Sequence, residues 1–188
     1  MHNETICFEH IHMAFGEKQI VSDLNLSLSS PGEYAFLGPS GRGKTTLLRL
    51  IAGLEKPLSG RITLPPDARI SFCFQEDRLL PWKTVLENVA LVCPDHETAR
   101  HWLALVGLAG EENSYPDTLS GGMKRRASLA RALAYDADIL LMDEPFRALD
   151  EQTHAQMLAL VRKAAKGKLL VLVTHDEADC EGMHIVRI

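Results

Sequence analysis

The chain has 188 residues, of which 46% are hydrophobic and 24% are charged, and its formal net charge is -5. This apolar content can build one folded domain and is not that of a disordered chain. The acidic balance offers no general attraction for nucleic acid, and no apolar run in the sequence is long enough to span a membrane. We therefore predict a single domain over residues 1–188 that works in the cytosol.

Strand and helix patterns alternate along the chain. The apolar spacing predicts strands at 5–15, 20–28, 34–37, 61–64 and 69–74. The spacing then becomes helical, at 84–92, 97–107 and 123–134. Alternation returns with strands at 139–142, 169–174 and 184–188 and a helix at 151–165. This order predicts an α/β domain with a helical lobe inserted at about residues 76–135.

A glycine-rich segment, GPSGRGKTT, lies between the third predicted strand and a predicted helix. It matches the phosphate-binding P-loop pattern G-x-x-x-x-G-K-[ST], in which glycines let backbone N–H groups point at phosphate oxygens. We predict that a nucleoside triphosphate is bound by Gly38, Pro39, Ser40, Gly41, Arg42, Gly43, Lys44, Thr45 and Thr46. Lys44 would supply a cation for the β- and γ-phosphates, and Thr45 a hydroxyl ligand for Mg²⁺. An ordinary glycine-rich turn is the alternative, but the flanking strand and helix favour the P-loop.

Two carboxylates follow the apolar residues 139–142. In a P-loop protein, an aspartate at the end of such a strand reaches the Mg²⁺ ion, so Asp143 is a candidate metal ligand. Glu144 is a candidate to orient the attacking water or to accept its proton. A solvated strand end before the turn at Pro145 is the alternative interpretation.

A second pair of glycines lies in the segment LSGGMKRR, residues 119–126. Two adjacent glycines before a helix expose N–H groups that suit an anion. On this evidence alone the default is a plain turn and a capped helix whose basic residues form a solvated face.

The order of these motifs resembles the ATP-binding subunits of ABC transporters. Beside the P-loop, the resemblance rests on Gln75, LSGGM at 119–123, LLMDEP at 140–145, ALD at 148–150 and THD at 174–176. It covers nearly the whole chain. It implies a P-loop NTPase fold of the ABC ATPase type, with a RecA-like core, antiparallel β strands and the inserted helical lobe. It also implies ATP hydrolysis, with ATP and Mg²⁺ bound.

In this family two ATP-binding domains enclose two ATP molecules head to tail. The resemblance therefore implies that Ser120, Gly121 and Gly122 contact the γ-phosphate bound by the partner. Asp150 would lie at the interface between the two domains. Phe15 matches the aromatic residue that stacks on adenine, although a core aromatic at a strand end is an equal alternative.

The resemblance also assigns two polar side chains to the reaction. Gln75 would join the Mg²⁺ and water shell, and His175 would contact the γ-phosphate. Without the resemblance, a lone histidine after a strand would be taken as structural or exposed. The catalytic set expected from the sequence is Lys44, Gln75, Glu144 and His175.

Residues 74–89, FQEDRLLPWKTVLENV, resemble more narrowly the subunits of importers for nitrate, sulfonates, taurine and related solutes. The apolar residues 79–82 would form a surface for a transmembrane permease. A hydrophobic staple within the helical lobe is the alternative. The resemblance implies a homodimer or paired ATPase subunit, an indirect solute-binding partner, no nucleic acid, and a peripheral position at the cytoplasmic face of the cell membrane.

Three features depart from the family pattern. Met123 replaces the commoner glutamine, and Arg147 stands where a small residue usually precedes ALD. The end of the chain after Asp176 looks shortened, so regulation through a further domain is not expected. Two rival functions stay open. One is a soluble ABC-type ATPase without a transporter, against which residues 75–82 and the acidic charge argue, and the other is a homologue that binds ATP but hydrolyses it weakly, which Arg147 and the short end of the chain support.

Overall fold

Strand pairing in the computed structural model builds two sheets from the described residues, which are 4–16 and 18–188, without the side chains of Glu4, Phe15 and Lys18. The strands are β1 (Glu4–Phe15), β2 (Lys18–Ser30), β3 (Gly32–Leu37), β4 (Ser59–Thr63), β5 (Ile70–Cys73), β6 (Ile139–Asp143), β7 (Leu169–Val173) and β8 (His184–Arg187). One sheet is antiparallel, with the order β2-β1-β4. The other is parallel, with the order β5-β6-β7-β3-β8.

The helices are α1 (Lys44–Ile51), α2 (Val85–Ala90), α3 (His96–Leu105), α4 (Gly121–Ala134) and α5 (Glu151–Ala164), with short 3₁₀ turns at Pro116–Thr118 and Glu177–Cys180. Polar side chains start four of them: Thr84, Asp95, Ser120 and Asp150 each accept a hydrogen bond from a backbone N–H three residues on. Helices α2, α3 and α4 lie between β5 and β6 in the sequence, and they pack on one another in the structure. No helix in the described ranges has both the length and the hydropathy to cross a bilayer.

The parallel sheet determines where the polar motifs meet. All residues of β6 and β7 are buried, as expected for central strands covered on both faces. Strands β3, β6 and β7 are parallel neighbours, so their carboxyl ends lie at one edge. The P-loop follows β3, Glu144 follows β6, and His175 comes shortly after β7. This edge, with Gln75 after β5, is called the nucleotide edge below.

The structure confirms the predicted order of strands and helices and the α/β class. Several boundaries differ. Helix α4 begins at Gly121 and not at Met123, because the Ser120 side chain caps the helix and accepts from the Met123 N–H at 3.3 Å. Strand β2 extends beyond both ends of the predicted strand at 20–28. Strand β4 begins and ends earlier in the chain than the predicted strand at 61–64. The single-domain organisation and the lobe boundary at 76–135 stay predictions.

Candidate functional site at the nucleotide edge

The P-loop connects β3 to α1 with backbone conformations that require glycine. Gly43 has φ 96°, and a Cβ there would collide with Ile20. Gly43 is also the N-cap of α1, which has no side-chain cap and no acidic residue in its first turn. The N-terminal N–H groups of α1 are therefore not taken by a carboxylate and suit an anion.

Lys44 is buried at the start of α1, with 5% of its surface exposed. Its Nζ donates to the carbonyl oxygens of Gly38 at 2.6 Å and Pro39 at 2.9 Å. Burial lowers the pKa of the Lys44 ammonium, while the negative charges of Glu144 and Asp143 oppose that shift. The P-loop thus holds a cation beside two carboxylates, where a phosphate group would meet it.

A cavity of about 330 Å³ lies at this edge. The P-loop and α1 contribute Ser40, Gly41, Gly43, Lys44, Thr45 and Thr46 to its lining. Gln75, Glu144 and His175 line the same cavity from the ends of other strands. The four predicted catalytic residues therefore share one cavity with most of the predicted phosphate-binding residues.

Two of these side chains, those of His175 and Gln75, converge on the Glu144 carboxylate. The His175 Nε2 lies 2.5 Å from Oε1, and the Gln75 Nε2 donates to Oε2 at 3.3 Å. Glu144 itself has φ 47°, a left-handed conformation that is uncommon outside glycine and clusters at functional sites. The carboxylate is therefore held from both sides at the cavity wall.

Asp143 provides a test of whether the site fits a divalent cation. Its side chain is 2% exposed, and nothing in the described part of the chain bonds to its Oδ1 atom. Burial raises the pKa of the Asp143 carboxyl, a hydrogen bond from the Thr45 hydroxyl opposes the shift, and the Glu144 charge adds to it. A buried carboxylate oxygen without a partner, beside a hydroxyl, is a suitable ligand pair for a hard cation such as Mg²⁺.

Arg125 on α4 is a residue that the sequence interpretation missed. Its side chain is 3% exposed and its guanidinium donates to the carbonyl oxygens of Phe74, Gln75, Asp143, Glu144 and Pro145 at 2.6–3.3 Å. It therefore ties the segment that carries Gln75 to the segment that carries Glu144. The interpretation of the basic residues as a solvated face is wrong for Arg125. Its burial could have been inferred from its position four residues before Leu129, because residues at this spacing share one face of a helix and Leu129 is fully buried.

The second glycine motif lies elsewhere. Ser120 and Gly121 are exposed at the start of α4, and none of residues 120–122 lines the P-loop cavity. Gly121 instead lines a separate cavity of about 180 Å³ with Gln75 and Arg147. Within one chain, the structure does not bring the two glycine motifs together. The side chain of Phe15 lies outside the described residues.

The parallel sheet, the P-loop and the carboxylates at its edge define a P-loop nucleotide-binding protein. The family model described as ABC transporter matches residues 21–147. The chain belongs to the ABC transporter family and is an ATP-binding protein of the ABC ATPase class. The family and fold class predicted from the sequence are confirmed, whereas the roles of single site residues stay predictions.

Two curated relatives and one solved structure illustrate the similarity. The aliphatic sulfonates import ATP-binding protein SsuB of Granulibacter bethesdensis is 46% identical over 177 residues, which is 91% of this chain and 73% of the relative. The taurine import ATP-binding protein TauB of Pseudomonas savastanoi pv. phaseolicola is 49% identical, over 84% of this chain and 66% of the relative. A dimeric ATP-binding cassette in a post-hydrolysis state with ADP and Pi has a TM-score of 0.87 and 28% identity, covering 97% of this chain and 94% of its own.

Proposed function

We propose that this chain is the energy-coupling ATPase subunit of an importer for organosulfonates, a class that includes taurine. Relatives that are 46% and 49% identical are import ATP-binding proteins for aliphatic sulfonates and for taurine. The observation that carries the ATPase part is the convergence of His175 and Gln75 on Glu144 in the P-loop cavity. The chain would act as a peripheral subunit on the cytoplasmic face of the membrane.

The residues of the nucleotide edge have separate tasks in this proposal. The P-loop N–H groups and Lys44 bind the β- and γ-phosphates. Glu144 orients the attacking water and accepts its hydrogen bond, and Gln75 and His175 keep the carboxylate in place. Thr45, Asp143 and Gln75 would hold Mg²⁺, which neutralises charge on the phosphate oxygens when it is bound.

We propose that a second ATPase subunit completes the site. Residues 120–122 lie outside the P-loop cavity of their own chain, so they are available to a nucleotide held by another subunit. The similar cassette with ADP and Pi is a dimer. A homodimer or a pair of related ATPase subunits would then contain two ATP sites, each built from both chains.

The segment 80–84, called the coupling loop below, is the proposed contact with a transmembrane permease. Trp82 at its centre is 70% exposed. The fully buried Asn88 holds the loop: its Oδ1 accepts from the Leu80 N–H at 2.7 Å, and its Nδ2 donates to the carbonyl oxygens of Leu80, Lys83 and Thr84 at 3.0–3.1 Å. Leu79 packs against the core, so the staple alternative describes Leu79 but not Trp82.

An uptake experiment tests this function. Cells that produce the chain with its transporter would take up radiolabelled taurine and ethanesulfonate, and the same cells with Lys44→Ala would not, because import needs hydrolysis. Sulfate uptake is the control and should be equal in both strains. Sulfonate uptake that is the same with and without Lys44 would overturn the proposal. Normal hydrolysis by the purified chain, without any effect on uptake, would favour a soluble ABC-type ATPase.

A further inference from the structure

A second group of polar side chains lies behind His175, away from the P-loop. On α5, the His154 Nε2 lies 2.5 Å from the Asp179 Oδ1. The other oxygen of Asp179 accepts a hydrogen bond from the Thr174 hydroxyl at 2.6 Å. Because a carboxylate only accepts, His154 must carry its hydrogen on Nε2. A continuous chain of hydrogen bonds therefore runs from α5 to the residue before His175.

Two members of this network, Asp179 and Thr174, are buried. Asp179 is 3% exposed and Thr174 is 6% exposed, so their hydrogen bonds replace the water that each side chain loses on folding. The His154 ring stacks on Phe146, with 4.9 Å between ring centroids, which fixes the orientation of the imidazole. The His154 side chain is 25% exposed, but these two contacts orient its donor towards Asp179.

Thr174 connects this network to the nucleotide edge. The Thr174 hydroxyl also accepts a hydrogen bond from the Asp176 N–H at 3.1 Å. This bond closes a short turn that has His175 at its centre. The His175 side chain is 48% exposed and meets Glu144 at its tip. A half-exposed ring has little packing to orient it. Its position against Glu144 therefore depends on the backbone of residues 174–176.

The space around the network points to the same dependence. His154, Asp179, Thr174, His175 and Glu144 all line one cavity of about 240 Å³. Pro145 and Phe146 contribute apolar surface to the same lining. The hydrogen bonds from His154 through Asp179 to Thr174 connect α5 with the 174–176 turn beside this cavity.

We propose that His154 is a positioning residue for ATP hydrolysis: through Asp179 and Thr174 it holds the 174–176 turn so that His175 meets Glu144. The inference rests on the proposed function, because it needs Glu144 and His175 to act on ATP. His154 does not touch the nucleotide in this account. Its loss would affect the rate of the chemical step and leave nucleotide binding in place.

The test compares two substitutions at one position in the purified chain with Mg²⁺ and ATP. His154→Leu keeps the bulk against Phe146 but removes the donor, and His154→Gln keeps an N–H donor at a similar reach. For His154→Leu we expect kcat to fall by about tenfold while the KM for ATP changes by less than about twofold. His154→Gln should recover most of the lost kcat.

Ser71→Ala is the matched control. It also removes a buried hydrogen bond, from Ser71 Oγ to the Ala132 carbonyl at 2.6 Å, but Ser71 does not line the cavity of this network. It should lower the melting temperature and leave kcat per folded molecule unchanged. If His154→Leu behaves in the same way, or if His154→Gln is as slow as His154→Leu, the positioning role is wrong.

Two further variants keep the test decisive. Should His154→Leu fail to fold, Thr174→Val removes only the hydroxyl of the same network. For Thr174→Val we also expect a lower kcat with little change in the KM for ATP. A kcat equal to that of the parent would overturn the proposal. Glu144→Gln is run beside them: if it hydrolyses ATP at the parental rate, the proposed function itself fails and this inference fails with it. A slow Glu144→Gln with a fast His154→Leu refutes the positioning role alone.

Discussion

The nucleotide edge and the coupling loop differ in the kind of group that has no partner within the described residues. At the nucleotide edge the group is polar, and in the coupling loop it is apolar. At the nucleotide edge, a buried carboxylate oxygen of Asp143 lacks a partner among the described residues, and the N-terminus of α1 lacks an acidic cap. In the coupling loop, Asn88 bonds the loop backbone, and the exposed group is the apolar ring of Trp82. One region thus offers charge and hydrogen bonds, and the other offers apolar surface.

The difference indicates what each region binds. Unpaired buried polar groups cost free energy, and a site keeps them where a ligand supplies the missing partner. An exposed tryptophan leaves apolar surface in contact with water, and a protein partner can cover that surface. The contrast predicts that changes at one region affect hydrolysis, and that changes at the other affect coupling to transport without affecting hydrolysis.

The largest effect is expected for Lys44→Ala at the nucleotide edge. The substitution removes the cation that meets the phosphates, and we expect hydrolysis to fall by about 100–1,000-fold. Steady-state ATPase measurement checks this. The exposed Lys56→Ala is the control and should keep the parental rate. Turnover of Lys44→Ala within about twofold of the parent would refute the P-loop assignment.

Trp82→Ser tests the coupling loop. Since the ring is exposed and does not line the P-loop cavity, ATP hydrolysis by the purified chain should stay parental while sulfonate uptake falls by about tenfold or more. Leu58→Ser is a matched control, because Leu58 is also 70% exposed but lies between α1 and β4. Equal loss of uptake in both variants would mean that general surface change, and not a specific contact, is responsible.

The smallest effect concerns stability at the nucleotide edge. Burial raises the pKa of Asp143 above its ordinary value of 3.8, so the charged carboxylate destabilises the folded state at pH 7. Asp143→Asn should therefore raise the melting temperature by about 2–4 °C at pH 7, although it impairs hydrolysis. The gain should shrink as the pH falls through the raised pKa of the folded state and should vanish below 3.8, where the carboxyl is protonated in both states.

Asp138→Asn is the control with the opposite sign. A hydrogen bond from the Arg69 backbone N–H lowers the pKa of Asp138, so its charge stabilises the fold above the ordinary pKa. Its amide variant should melt at a lower temperature than the parent at pH 7. A fall in melting temperature for Asp143→Asn would contradict the account of a carboxylate kept for function at a cost in stability.

The two regions also differ in how far the sequence predicts them. The P-loop and the Asp143–Glu144 pair are local patterns, because spacing and backbone requirements are contained in a few consecutive residues. The arrangement of the nucleotide edge also follows, since parallel strands bring their carboxyl ends together. These parts could be predicted without coordinates.

Polar contacts between residues that are distant in the sequence could not be predicted from the sequence. Arg125 bonds to carbonyl oxygens 18–51 residues away, and its sequence neighbours Lys124 and Arg126 suggested a solvated face. His154 and Asp179 stand 25 residues apart in patterns that also suit exposed helix and loop positions. Each depends on packing between elements, which local patterns do not encode.

The most direct test of the central claim is the behaviour of Glu144→Gln. The amide keeps the size of the side chain but removes the carboxylate that orients water, so ATP and Mg²⁺ should bind while hydrolysis slows by about 100-fold or more. Light scattering should then show an ATP-dependent dimer, with ADP leaving the protein monomeric. Hydrolysis by Glu144→Gln at the parental rate, with no dimer in ATP, would contradict a hydrolytic site built on Glu144 and completed by a second subunit.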